Sequence, residues 1–404
     1  MNNKAIPIFV YSVTSNTLLD LLSSLNLVSE NSFIILKLLT IIALVYSATK
    51  LVIDYKFENA YFRFTFLLFI LYEFITVVRG FTFSSSIWYY LGLITGITFW
   101  PFVIPFFVFF DKKISNLALL IKYIYFVSIF FILVNIIFPT LLLSRLTAET
   151  IIGIAIPSGF LLLNATYLSN KKVNISFLVL FISLLSVTYL ARRNVIVTIS
   201  AYIIASYFLN IKSISKSFIF RLFPVLIGLL IFIFFSFNKL STIITNKLDE
   251  RLTQDTRSEL FAMYFIEMQD YMTFGKGMNG SYYYPMPGGE TEDGTVYSEE
   301  EYRHIIENGY LQLMLTGGIV QIILFLMILL PASIIGIFRS SNNLSKACGI
   351  MIFIRLIDML IYGLPSLSLS YILVWISVGL CYSSSFRSLS DEEIKLEFQK
   401  INLA

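Results

Sequence analysis

The sequence predicts an all-α, polytopic membrane protein with about twelve transmembrane helices and one large external loop carrying short amphipathic helices. Three observations lead there. The 404-residue chain is 57% hydrophobic, 16% aromatic and only 13% charged, with a mean hydropathy of +0.81. No soluble domain of this length has that composition. Apolar runs close to the ~20 residues needed to cross a bilayer recur from one end to the other. One polar stretch, 238–305, interrupts them, and it alone is large enough to fold outside the bilayer.

The first run, 5–26, is the weakest, because Asn16 and Asp20 interrupt it. A single lysine stands before it and no small-residue cleavage site follows its apolar part, so it reads as a membrane segment rather than a removed signal peptide. Runs at 33–53, 61–78, 87–110, 117–138, 150–168, 173–190, 194–210 and 218–237 follow. Pro101, Pro105 and Pro157 fall inside or near these spans, which membrane helices tolerate. After the loop come 306–330, 347–363 and 366–386. Cys348 and Cys381 both lie in apolar runs, and no disulfide is expected. The chain shows no internal repeat and no low-complexity tract, so it reads as one transmembrane domain, 1–404, with the loop inside it.

Lysines set the orientation. With Met1 cytoplasmic, alternate loops carry Lys56, Lys112 and Lys113, Lys171 and Lys172, Lys212 and Lys216, then Arg339 and Lys346. The tail, with Arg387, Lys395 and Lys400, falls on the same side. Both termini are therefore expected in the cytoplasm and the loop outside. The net charge of +4 is small and dispersed, which argues against a nucleic-acid partner.

The outward side is poor in lysine yet carries Arg79, Arg145, Arg192, Arg193, Arg251, Arg257 and Arg303. Arginine's rigid fork binds phosphate in a bidentate way that lysine cannot match. Such a set suits the pyrophosphate of a lipid carrier. Local pairing is the alternative: Arg145 with Glu149, Arg251 with Asp249 or Asp255, Arg79 with Glu73. Arg192 and Arg193 have no acid nearby in sequence.

Within the loop, apolar residues at 260, 261, 264, 265, 268, 271 and 272 have helical spacing. They predict an amphipathic helix over 256–272 lying on the membrane or on other loop structure. Gly275-Lys276-Gly277 then breaks it, as a plain turn or a weak phosphate signal. Tyr282, Tyr283 and Tyr284 suit sugar stacking or the bilayer interface. The acids at 290–301 fit no recognisable metal site and read as solvated, so no metal or other cofactor is expected. His304 is the only histidine, which excludes mechanisms needing two. Glu307 stands where the chain enters the next span. It could accept a proton from a sugar hydroxyl, with His304 one helical turn away to orient it if the helix begins that early. Capping the helix start is the alternative role. Arg355 and Asp358 lie at helical neighbour spacing inside a span, as a functional or a neutralising pair.

These residues resemble the bacterial O-antigen and capsular polysaccharide polymerases (Wzy-like), related to the O-antigen ligases. The likeness covers roughly residues 185–335. It rests on Tyr189 to Asn194 with its two arginines, on Arg257 to Phe261, on Gly275-Lys276-Gly277, and on Glu307-Asn308-Gly309-Tyr310-Leu311 with Gly317-Gly318. The ligases carry histidine where this chain has Glu307, which favours polymerase over ligase. The resemblance implies metal-independent, inverting glycosyl transfer on the outer face of the bacterial plasma membrane. Donor and acceptor would be undecaprenyl-pyrophosphate-linked glycans, with membrane lipid and a chain-length regulator as partners. Arg192, Arg193 and Arg257 would hold pyrophosphate, and Glu307 with His304 would deprotonate the acceptor. A lipid-linked oligosaccharide flippase is a further class, but it needs no such loop and should show two comparable halves.

Overall fold

The computed structural model describes residues 5–24, 28–83, 86, 99–138, 147–189, 192–210, 256–283, 302–361 and 366–403. Among them the chain is all-α apart from one two-residue ladder. The long helices are α1 (Ala5–Ser24), α2 (Glu30–Asp54), α3 (Ala60–Gly80), α4 (Ile114–Ile137), α5 (Thr147–Leu163), α6 (Asn170–Tyr189) and α7 (Arg193–Asn210). After the loop helix α8 (Thr256–Met268) come α9 (Gly309–Phe338), α10 (Asn343–Asp358), α11 (Leu369–Tyr382) and α12 (Asp391–Lys400). Six of the described helices are long and apolar enough to cross a membrane, so the chain has the build of a multi-pass membrane protein. The expected runs match the helices closely where both can be compared. Half of 87–110 and all of 218–237 lie outside the described residues.

Polar residues set several helix starts. The Asn59 side chain accepts from the Phe62 N–H at 2.9 Å, and Ser368 and Asn342 cap α11 and α10 in the same way. Each cap answers an N–H that a helix start leaves without a partner.

The end of the fourth expected span departs from the prediction. Trp100–Val103 is a single α turn, followed by a 3-10 helix over Ile104–Phe109. Pro101 and Pro105 stand in the first turn of each piece, and neither can donate to an α ladder. The tighter segment lies against α11, where Gly379 lets the Val108 carbonyl approach to 2.3 Å of the position a Cβ would occupy. Aromatic rings fill the neighbouring core: Phe62 stacks on Tyr382 at 4.2 Å, and Phe69 packs on Trp375 at 6.0 Å.

Two ends of the bundle differ in character. At one end Lys112 donates to Glu58 at 2.9 Å and to the Lys56 carbonyl at 3.2 Å. The Ser383 and Ser385 hydroxyls also reach Glu58, at 3.0 and 2.8 Å. Asn342 donates to the carbonyls of Phe386 and Leu389, and the Ser169 N–H donates to Leu403. Lys112, Arg339, Lys346, Arg387 and the C-terminal tail therefore gather at one end of the bundle. Burial alone would raise the Glu58 carboxyl, but hydrogen bonds from Lys112 and Ser385, with the lysine charge, hold it at about 2. Helix α12 was not expected. A reciprocal capping box between Ser390 and Glu393 starts it, and Ile394 and Phe398 bury its apolar side.

The opposite end carries a second, smaller core. Tyr264, Met268, Tyr282, Ile306, Met314 and Leu315 are buried together there, joining α8, the first turns of α9 and a minimal ribbon. In that ribbon β1 (Tyr282–Tyr283) pairs antiparallel with β2 (Tyr302–Arg303).

Candidate functional site

The second core depends on a break in α9. Gly318 has φ 68° and ψ −168°, which a side chain would strain, and the helix changes direction there. The freed backbone groups are answered by the segment that follows α8. Ile319 N–H donates to the Met272 carbonyl at 2.8 Å, while Lys276 N–H donates to Leu315 and Gly277 N–H to Thr316, each at 2.8 Å. The Tyr72 hydroxyl takes the Gly317 carbonyl. Non-helical backbone within a membrane bundle persists only where other protein groups satisfy it in this way.

Gly275-Lys276-Gly277 is thus neither a free turn nor a phosphate cradle among the described residues: it is a wedge. A Cβ on Gly275 would lie 2.5 Å from Gly317 N, one on Gly318 2.3 Å from the Thr273 carbonyl, and one on Gly80 2.1 Å from Met278 N. Arg79 caps the contact, donating to the carbonyls of Phe274 at 2.5 Å and Gly275 at 3.1 Å. Its expected pairing with Glu73 is not what forms. Glu73 is buried in α3 and receives the Gln321 amide at 2.7 and 2.9 Å, and Thr316 in turn donates to Gln321.

Glu307 and His304 sit where the small core meets the bundle. The helix begins at Gly309, so the two residues precede it and are not related by a helical turn. The N-cap is Asn308, whose side chain accepts from Tyr310 N at 3.1 Å and Leu311 N at 3.0 Å. Gln312 folds the preceding segment back, accepting from Ile306 N at 2.9 Å and donating to the His304 carbonyl at 3.2 Å. His304 is exposed, with Nδ1 3.2 Å from the Asn279 carbonyl. Glu307 is also exposed and has no hydrogen-bond or ion-pair partner among the described residues.

The last turn of α10 joins this segment to α7. Gly309 N–H donates to the Met359 carbonyl at 3.1 Å, and Asn308 donates to Leu360 at 2.6 Å. One residue earlier, the buried Asp358 pairs with Arg355 and accepts from Thr198 of α7 at 2.8 Å. The Arg355 guanidinium lies 3.8 Å over the Tyr371 ring. Beside Asp358 a small cleft, lined also by Asn194, Thr198, Ala155 and Ile156, has about 10 Å³ of interior, about the room one water takes on that measure. Arg192 stands at the N-cap of α7, its carbonyl accepting from Val195 and Ile196.

The residues after Glu307 and helix α7 therefore both bond to the end of α10, α7 through Thr198, six residues beyond Arg192. The side chains of Arg193 and Arg257 lie outside what is described. Their backbones start α7 and α8, and α8 is tied to α9 by Tyr264 donating to the Leu311 carbonyl at 2.7 Å. Burial, with Tyr282 alongside, raises the Tyr264 phenol well above its ordinary range, so it remains a donor. Arg145, Arg251 and the acidic stretch 290–301 fall outside the described residues.

Sequence reasoning named Arg355 and Asp358 but did not connect them to Glu307. The link runs through backbone carbonyls, which carry no residue signature. Asn308 was legible as a capping residue type. Gln312 and Gln321, polar residues in an apolar run, were the remaining signal for the clamp and for the Glu73 contact. No known family model, curated protein or solved structure matches this chain.

Proposed function

We propose that the chain is a polysaccharide polymerase joining undecaprenyl-pyrophosphate-linked oligosaccharide repeat units on the outer face of the plasma membrane, with both termini cytoplasmic and about twelve spans in all. The observation that carries this reading is an exposed Glu307, without a partner among the described residues, on a segment bonded just past the end of α10, where Asp358 in turn binds Thr198 of α7, the helix whose start bears the arginines. In the reaction the Glu307 carboxylate takes the proton of an acceptor sugar hydroxyl. The oxygen attacks the anomeric carbon of the donor glycan from the face opposite the leaving group. The bond from that carbon to the pyrophosphate oxygen breaks, and the configuration inverts. Arg192, Arg193 and Arg257 stabilise the charge that develops on the departing undecaprenyl pyrophosphate. His304, three residues away, positions the carboxylate or the acceptor. No step requires a metal ion.

Mass analysis of lipid-linked glycans in a deletion strain tests the reading. Accumulated single-repeat intermediates on the outer face support a polymerase. Full-length polymer left unattached would instead make the chain a ligase, and intermediates trapped on the inner face a flippase.

A further inference from the structure

Helix α8 has two apolar sides, and only one packs against other described residues. Tyr264 and Met268 are buried in the small core. On the remaining surface Met263, Phe265 and Ile266 are 40%, 41% and 62% exposed. The turn that follows adds Tyr271 and Phe274, also exposed. The sequence pattern put Phe265 and Tyr271 on one apolar face with Tyr264 and Met268, and the structure divides these residues between an open and a packed side. A surface of this kind outside a core marks a contact with something else.

Its neighbours identify what. The Phe274 carbonyl accepts from Arg79 of α3, and the Met272 and Thr273 carbonyls accept from Ile319 and Val320 of α9. The exposed aromatic turn therefore runs directly into the exposed apolar bands of those two helices: Leu71, Phe74 and Val78 on α3, Ile319 and Ile323 on α9. Both helices are among those long and apolar enough to cross a membrane, so those bands meet lipid. Phe81 and Phe83, just past the end of α3, are exposed at the same level, as aromatic residues are at a bilayer interface. The polar groups fit headgroup depth. Lys276 bridges Glu267 at 2.9 Å and lies 5.1 Å over the Tyr271 ring, and Gln269 and Asp270 close the helix on its open side.

We infer that the open face of α8 and the turn 269–274 lie on the lipid bilayer surface, with Met263, Phe265, Ile266 and Phe274 entering the boundary between headgroups and acyl chains. This contact continues the lipid-facing surface of α3 and α9, and does not rest on the proposed reaction. It holds the second core at the level of lipid phosphates.

Site-directed spin labelling tests it on the full chain in nanodiscs of phosphatidylethanolamine and phosphatidylglycerol. The buried Cys348 and Cys381 are first replaced by alanine. Nitroxides are then placed singly through Ile266→Cys and Phe274→Cys, with Lys395→Cys as a water-facing reference. At 266 and 274 collisions with oxygen should exceed those with a water-soluble nickel chelate several-fold, and the ratio should reverse at 395. Chelate access exceeding oxygen access at both positions would overturn the inference, as would labels shielded from both reagents, which would mean that protein covers the face.

Discussion

The lysine-bearing end and the small core at the opposite end are built from the same residue types to different purposes. At the first, Glu58 is saturated. Lys112, Ser383 and Ser385 all donate to it, so two separate segments close on it. At the second, Glu307 is held as firmly by its neighbours, through Gln312, Asn308 and α10, yet its carboxylate has no partner among the described residues. Satisfaction of a charge is how a chain closes an end. A fixed carboxylate without a partner among the described residues is what the proposed reaction asks of a base. Variants that break one arrangement should cost stability, and variants that break the other should cost activity.

The largest effect on stability is expected at the wedge. In Gly80→Ala the new Cβ meets Met278 N at 2.1 Å, and in Gly318→Ala it meets the Thr273 carbonyl at 2.3 Å in a left-handed conformation. Each should cost more than about 4 kcal/mol and expose α8 to limited proteolysis. Gly153→Ala, with nothing within 4 Å, is the control and should be neutral or up to about 1 kcal/mol stabilising.

Next come the arginines. Arg257→Lys, and the double change Arg192→Lys with Arg193→Lys, keep charge but lose the bidentate fork. A lost charged contact to phosphate costs ~1.5–3 kcal/mol, so binding of lipid-linked substrate should fall roughly tenfold to a hundredfold at unchanged thermal stability. Near-normal polymer from both would make these arginines ordinary structural residues.

Asn308→Ala removes both the cap and the tie to Leu360. A lost cap costs about 0.5–2 kcal/mol, and polymer yield should fall with the loosened Glu307. The smallest effect belongs to Glu58. Its folded carboxyl lies below its ordinary value of 4.5, at about 2. Its contribution is therefore complete above 4.5 and disappears as pH falls toward 2. Being partly exposed, it should be worth only about 1 kcal/mol. Thermal unfolding against pH should show this acid limb in the natural chain and lose it in Glu58→Gln, with polymerisation at neutral pH unchanged.

The bundle was largely legible because length and hydropathy are composition, and a bilayer imposes them segment by segment. What escaped was every feature requiring two distant stretches at once. Gly317-Gly318 inside a long apolar run looks like ordinary membrane-helix glycine until residues 272–277 supply the missing hydrogen bonds. Arg79 reads as a phosphate ligand or a partner for Glu73 until the loop carbonyls arrive. Pro101 and Pro105 read as prolines that a membrane helix tolerates, and the 3-10 segment they start was missed, while the two-residue ribbon was too short for alternation to register. At the site, Glu307, Arg192 and Asp358 were each visible as charges out of place. That the segment after Glu307 and helix α7 both bond to the end of α10 was not, since two backbone carbonyls and the Thr198 hydroxyl make those connections.

The central claim is that Glu307 is the proton acceptor. It is tested most directly by supplying Glu307→Gln and His304→Ala to a deletion strain and measuring lipid-linked glycan length, with membrane levels matched. Glutamine keeps the shape and cannot take the proton, so Glu307→Gln should accumulate single repeats and make no polymer, while His304→Ala should make less polymer than the natural chain but not none. Full-length polymer from Glu307→Gln, whatever His304→Ala does, would contradict the account.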